Sequence, residues 1–133
     1  MKIHSIWEPR LPLELHQDER GRIADVFYND SVQHVTMVES LAKAIRGNHY
    51  HRETVQYMLI VRGELEYWWK PLDSDAAAQM VVARVGDLIE TPANEIHALR
   101  ITKDNAFIVF TTGKRGGKDY EQDTVRVKEP IIK

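Results

Sequence analysis

Nine short runs rich in Val, Ile, Tyr, Phe, Trp and Thr fill residues 22–111, and each is cut off within several residues by Gly, Pro, Asn or Asp. Runs of that length and content are strands, and strands recurring at such spacing build an all-β sandwich or barrel. The expected strands are 22–28, 32–38, 45–51, 56–61, 65–70, 80–84, 87–90, 97–101 and 107–111. Gly63 is expected to turn the chain between the fourth and fifth. Pro71 and Asp73 open a hairpin whose exposed tip is "DSDAAAQ". That tip and "SLAKAIRG" have helical propensity but are too short to stand as helices.

A chain of 133 residues can bury one core but not two, so residues 1–133 are expected to form a single domain. Its core should span about 18–112. The stretch "GKRGGKD" at 113–119 reads as a linker, and the tail to 133 offers one edge strand near 124–127. The sequence is 43% hydrophobic and 29% charged with a net charge of −2, which gives no electrostatic reason to expect nucleic acid and leaves a small molecule as the expected partner. No segment approaches the ~20 apolar residues that span a bilayer, so no membrane association is expected and a cytoplasmic location fits best.

With no cysteine, a disulfide, a thiolate nucleophile and a Cys-ligated zinc or iron-sulfur site are all excluded. Any metal must sit on His, carboxylate or amide oxygen. The stretch "RGNHYHRETVQYMLIVRG" places two histidines one residue apart on an expected strand, where side chains alternate faces. His49 and His51 therefore point the same way. In the next strand Gln56, Met58 and Ile60 share one face, while Tyr57, Leu59 and Val61 share the other. Much later, "GDLIETPANEIHALRI" puts His97 at the head of a strand with Leu99 and Ile101 on its face. Two imidazoles from one strand, the Gln56 amide oxygen and His97 make a ligand set for a divalent ion such as Zn, Mn, Fe, Ni or Co. The bland alternative is a pair of half-exposed edge-strand histidines.

Together the two stretches resemble the cupin motifs. His49, His51, Gln56 and Gly63 stand at the spacing of the first, with Gln56 in the glutamate place. Gly86, Pro92, Asn94 and His97 stand at the spacing of the second, with Asn94 where the family has glycine and Ile101 where it has asparagine. Asn tolerates the left-handed conformation such a turn uses. "DERGRI" followed by "RGNHYH" is similar to the nucleotide-sugar cupins: the deoxy-sugar 3,5-epimerases, the 3,4-ketoisomerases and the cupin domain of capsular-polysaccharide enzymes.

The resemblance implies a double-stranded β-helix, or jelly-roll barrel. It implies an isomerase or epimerase that moves a proton next to the ketone of a nucleotide-linked sugar, with no organic cofactor. "RGNHYH" is close to the metal-bearing capsular type, and "HRETVQ" to the ketoisomerases, which use no metal. By resemblance His49 occupies the position of the base and His51 that of the second histidine. Arg46 would then meet a phosphate or sugar oxygen, its alternative being a surface charge that closes a turn. Tyr57, Tyr67, Trp68 and Trp69 could stack on a base or sugar ring, although one Trp at least is expected in sheet packing or a dimer contact. A metal-dependent oxygenase and a non-catalytic sugar- or acid-binding module are the alternatives, since fold alone does not choose among them. Open strand edges lead to the expectation of a symmetric homodimer, with the Trp7 segment and "YEQDTVRV" crossing between subunits.

Overall fold

Residues 1–113 and 121–133 are described by the structure, a computed structural model. Apart from Gly113, the linker-like stretch lies outside them. In chain order the strands are β1 (Lys2–Ser5), β2 (Leu15–Asp18), β3 (Gly21–Ala24), β4 (His34–Ser40), β5 (Ile45–His51), β6 (Val55–Pro71), β7 (Gln79–Arg84), β8 (Asp87–Thr91), β9 (Glu95–Thr112) and β10 (Thr124–Arg126).

Two of these are much longer than expected. The runs at 56–61 and 65–70 are one strand, β6, and those at 97–101 and 107–111 are one strand, β9; the two pair antiparallel along nearly their whole length. Gly63 is therefore a bulge and not a turn. Its φ of +76° lets β6 bend without reversing, and the register against β9 shifts repeatedly between Ile60 and Leu65. A Cβ at Gly63 would overlap the carbonyl oxygen of Asp104 and stand 2.7 Å from the Cβ of Asn105. Across the bend the fully buried Asn105 donates from Nδ2 to the Glu64 carbonyl at 3.2 Å, which repairs part of the broken ladder.

Because both long strands bend at the same level, each half joins a different sheet. One sheet runs β1, β8, β6, β9, β4; the other runs β7, β6, β9, β5, β10. The result is the all-β jelly-roll barrel that the sequence predicts. Met58, Ile60, Leu65, Tyr67, Ile89, Leu99, Ile101, Phe107 and Val109 form the core between the sheets.

β1 and β2 were not among the expected strands, and the expected 22–28 shortens to β3, which pairs with β2 as a separate hairpin. The short Leu15–Asp18 segment is too polar to show a buried face in the sequence. The Arg22 guanidinium lies 3.7 Å from the centre of the Trp7 ring, which ties this hairpin to the segment after β1. Among the described residues no helix is long and apolar enough to cross a membrane.

Candidate functional site

The histidine pair is aimed by a bulge. Gly47 and Asn48 both have positive φ, +85° and +57°, and the register of β5 against β9 slips between Gly47 and His49. Only glycine fits at position 47, since a Cβ there would lie 2.8 Å from the His97 carbonyl oxygen. Past the bulge His49 stands directly opposite His97, and His51 follows on the same face. The turn before β9 is fastened to β5 by the Asn94 N–H, which donates to the His51 carbonyl at 2.7 Å. Asn94 has φ +62°, the left-handed conformation expected of it in the glycine place.

These local choices bring three imidazoles together. The ring centres of His49 and His51 are 4.8 Å apart, those of His49 and His97 4.7 Å, and those of His51 and His97 5.4 Å. Each ring offers a nitrogen within 4.8 Å of the others, and among the described residues no carboxylate joins the group. Two nitrogens at ~2.1 Å from a common ion are at most about 4.2 Å apart, so a small inward rotation of the rings would close the site on a metal.

His97 has a defined tautomer: its Nδ1–H donates to the Glu95 carbonyl, 3.2 Å away, which leaves the Nε2 lone pair available. The ring stacks on that of Tyr67, whose hydroxyl is hydrogen-bonded to Thr91. Burial, helped by the nearby His51, pushes the His97 pKa down to about 4, so the ring is neutral near pH 7. His51 Nδ1 lies 3.2 Å from the Thr124 hydroxyl. Behind it the buried Asp123 carboxylate accepts from the backbone N–H groups of Glu53, at 2.9 Å, and Thr54, at 3.0 Å. Burial pushes the Asp123 carboxyl up, but hydrogen bonds from Thr54 and Glu53 and the charge of His51 outweigh it and leave the group below its ordinary range.

The depressed pKa of His97 has a measurable consequence. Between pH 6.5 and about 4 the unfolded chain binds a proton at His97 that the folded chain refuses, so the metal-free protein should lose stability as pH falls through that window. At 1.36 kcal/mol per pKa unit the ceiling is on the order of 3 kcal/mol. Urea unfolding of the chelator-treated protein should show the decline, with a shallower slope in His97→Gln; equal slopes would assign it to another group.

A cavity of about 410 Å³ opens between the two sheets beside the histidines. His49, His97, Gly47 and Arg46 line one side, and Val38, Met58, Phe107 and Val109 supply an apolar wall that also holds Gln56. Gln56 is buried and lines the cavity, whereas His51, 1% exposed, does not. Arg46 is held at the mouth: its Nε donates to Ser40 Oγ at 2.6 Å and Nη2 to the Glu39 carbonyl at 3.1 Å. Neither acceptor is a carboxylate.

Tyr57 is not brought to this cavity. One residue after Gln56, it faces the other side of β6, where its ring meets Phe27 edge-on at 5.1 Å and borders a cleft with Glu90 and Arg10. Sequence reasoning missed Arg126, which lines the cavity from β10 opposite His49. The signal was present: Thr124 and Arg126 are two apart on a strand and so share a face, and Thr124 reaches His51.

The family described as the polysaccharide biosynthesis C-terminal domain matches residues 16–125. The chain belongs to this family. No curated protein matches this chain, whereas solved structures do. The sugar 3,4-ketoisomerase QdtA from Thermoanaerobacterium thermosaccharolyticum, in complex with TDP, is similar with a TM-score of 0.71 and 13% identity over 96% of this chain and 88% of that one. A 3,4-ketoisomerase from Helicobacter canadensis gives 0.73 and 14% over 95% and 90%. The dTDP-4-dehydrorhamnose 3,5-epimerase from Sulfolobus tokodaii gives 0.70 and 17% over 92% and 86%. At such identities the likeness shows the fold, which the domain shares with nucleotide-sugar enzymes of the cupin type.

Proposed function

We propose that this protein is an isomerase or epimerase of nucleotide-linked keto-sugars that shifts a proton on the carbon next to the ketone. The observation that carries the reading is the convergence of His49 and His97 in a cavity of sugar size with Arg46 and Arg126 at its lining. The similar structures are ketoisomerases and an epimerase of nucleotide sugars, which supports it. His49 borders the cavity and is the base, a role that a histidine lone pair performs in proton transfer next to a ketone. The two guanidinium groups meet the anionic part of the substrate. The apolar wall excludes water from the enolate.

A divalent ion fits the three imidazoles, given the ring distances and the Nε2 lone pair of His97, and Gln56, which lines the same cavity, is the proposed fourth ligand. When bound it would supply Lewis-acid polarisation of the ketone oxygen. His49 cannot give one lone pair to both a metal and a proton. Gln56→Glu decides between these uses: the added charge should raise the metal content of the purified protein and lower solvent-deuterium exchange into a TDP-4-keto-6-deoxysugar. If both rise, the metal belongs to the reaction and the base lies elsewhere. Absence of exchange in the wild type across several such sugars would overturn the function.

We also propose a homodimer. The outward side chains of β4, Val35 and Met37, are more than half exposed on an edge strand, which supports it. Trp7 lies against Gly86 of its own chain, so the β4 edge is a better candidate surface than the Trp7 segment.

A further inference from the structure

The strand that carries His49 and His51 is held along its outer side by the C-terminal segment. β10 pairs with it residue by residue, Thr124 opposite His51 and Arg126 opposite His49. Beyond β10 the hold passes to one side chain in the bulge. The Val127 N–H donates to the Asn48 carbonyl at 3.1 Å. The Oδ1 of Asn48 accepts from the N–H groups of Ile131, at 2.9 Å, and Ile132, at 3.2 Å, while its Nδ2 donates to the Ile132 carbonyl at 3.1 Å. Ile132 itself is 3% exposed, an apolar anchor for the segment.

Asn48 meets two demands at once. At φ +57° the position favours residues that tolerate the left-handed region, and the hydrogen bonds need a donor and an acceptor on one short planar group. Asparagine offers both. It also stands between Gly47 and His49 at the register slip, and a bulge residue sets the direction of the side chain that follows it.

We propose that Asn48 is a positioning residue that couples the seating of residues 127–132 to the aim of His49, so that the histidine site is complete only with that segment in place. The metal readout of this inference rests on the function proposed above, and its geometric readout does not.

The test uses the full chain in three variants. Asn48→Gly keeps the positive φ and removes the side-chain hydrogen bonds. Asn48→Asp keeps the acceptor for both N–H groups. Ile131→Pro removes one donor without touching β5. Amide hydrogen exchange reports whether 127–132 is seated, and titration with Co(II), followed by its visible spectrum, reports the histidine geometry. Asn48→Gly and Ile131→Pro are expected to speed exchange at 127–132, to weaken Co(II) binding roughly 10- to 100-fold, as loss of a partner that orients a ligand does, and to change the spectrum. Asn48→Asp should recover most of the affinity. A variant that releases the segment yet keeps wild-type affinity and spectrum overturns the proposal; if Asn48→Gly does not fold, Ile131→Pro decides it. If the wild type takes up no Co(II), the metal reading fails alone, and the imidazole NMR resonances of His49 and His97 serve instead: a shift in Ile131→Pro supports the coupling, and unchanged resonances overturn it.

Discussion

Gly63→Ala should cost the barrel roughly 2–5 kcal/mol or prevent it from forming. A non-glycine residue at φ near +76° carries about 1–2 kcal/mol of backbone strain, and overpacking adds about 1–3 kcal/mol. The second contribution is unavoidable here because the atoms in the way are backbone and the Cβ of Asn105, not the tip of a flexible side chain. Asn105 is fully buried and already spans the bend to Glu64, so relieving the clash means breaking that hydrogen bond as well. Gly21→Ala is the control: it also has positive φ, but a Cβ there meets nothing within 4 Å. Urea unfolding followed by circular dichroism should separate the two variants clearly. Equal stability would show that β6 can move away from β9 at the bend, and that the bulge does not enforce the two-sheet arrangement.

That bulge also marks where the sequence stopped being readable. Strand content was legible because alternation and β-branched runs are local, and the observed β5 has the limits its alternation predicts. A glycine between two strand-like runs reads as a hairpin turn, yet β6 continues through Gly63 because β9 pairs with it on both sides of the bend. That pairing joins residues about forty positions apart, which no local pattern encodes. The site divides along the same line. His49, His51, Gln56 and His97 were recoverable because parity along a strand and motif spacing both apply to them. The same parity rule, applied one residue further, places Tyr57 outside the cavity and, applied to β10, places Arg126 inside it. Asn48 gave no sequence signal, because its partners at 131–132 become visible only when the C-terminal segment is seen lying on the bulge.

His49→Ala should reduce solvent-deuterium exchange next to the ketone by roughly 10²- to 10⁴-fold, the usual cost of removing a positioned base. His49 is half-buried and borders the cavity, so it can touch a bound sugar; His51, 1% exposed and not lining the cavity, cannot do so without a rearrangement. His51→Ala should therefore act by a different route. It removes the ring that contacts Thr124 and packs against both other imidazoles, and its cost should appear in metal content and in the aim of His49 as well as in turnover. Tyr57→Phe provides the counterweight, because its ring lies across the sheet from the cavity and its loss of a hydroxyl should leave exchange within about threefold. Each variant is compared at equal folded fraction by circular dichroism, so that a loss of exchange is not a loss of protein. If His49→Ala keeps exchange within tenfold of the wild type while His51→Ala abolishes it, the base assignment passes to His51 and the cavity must open further in the complex. If neither variant loses exchange, proton transfer at the histidine cluster is wrong, and the three imidazoles serve a metal alone.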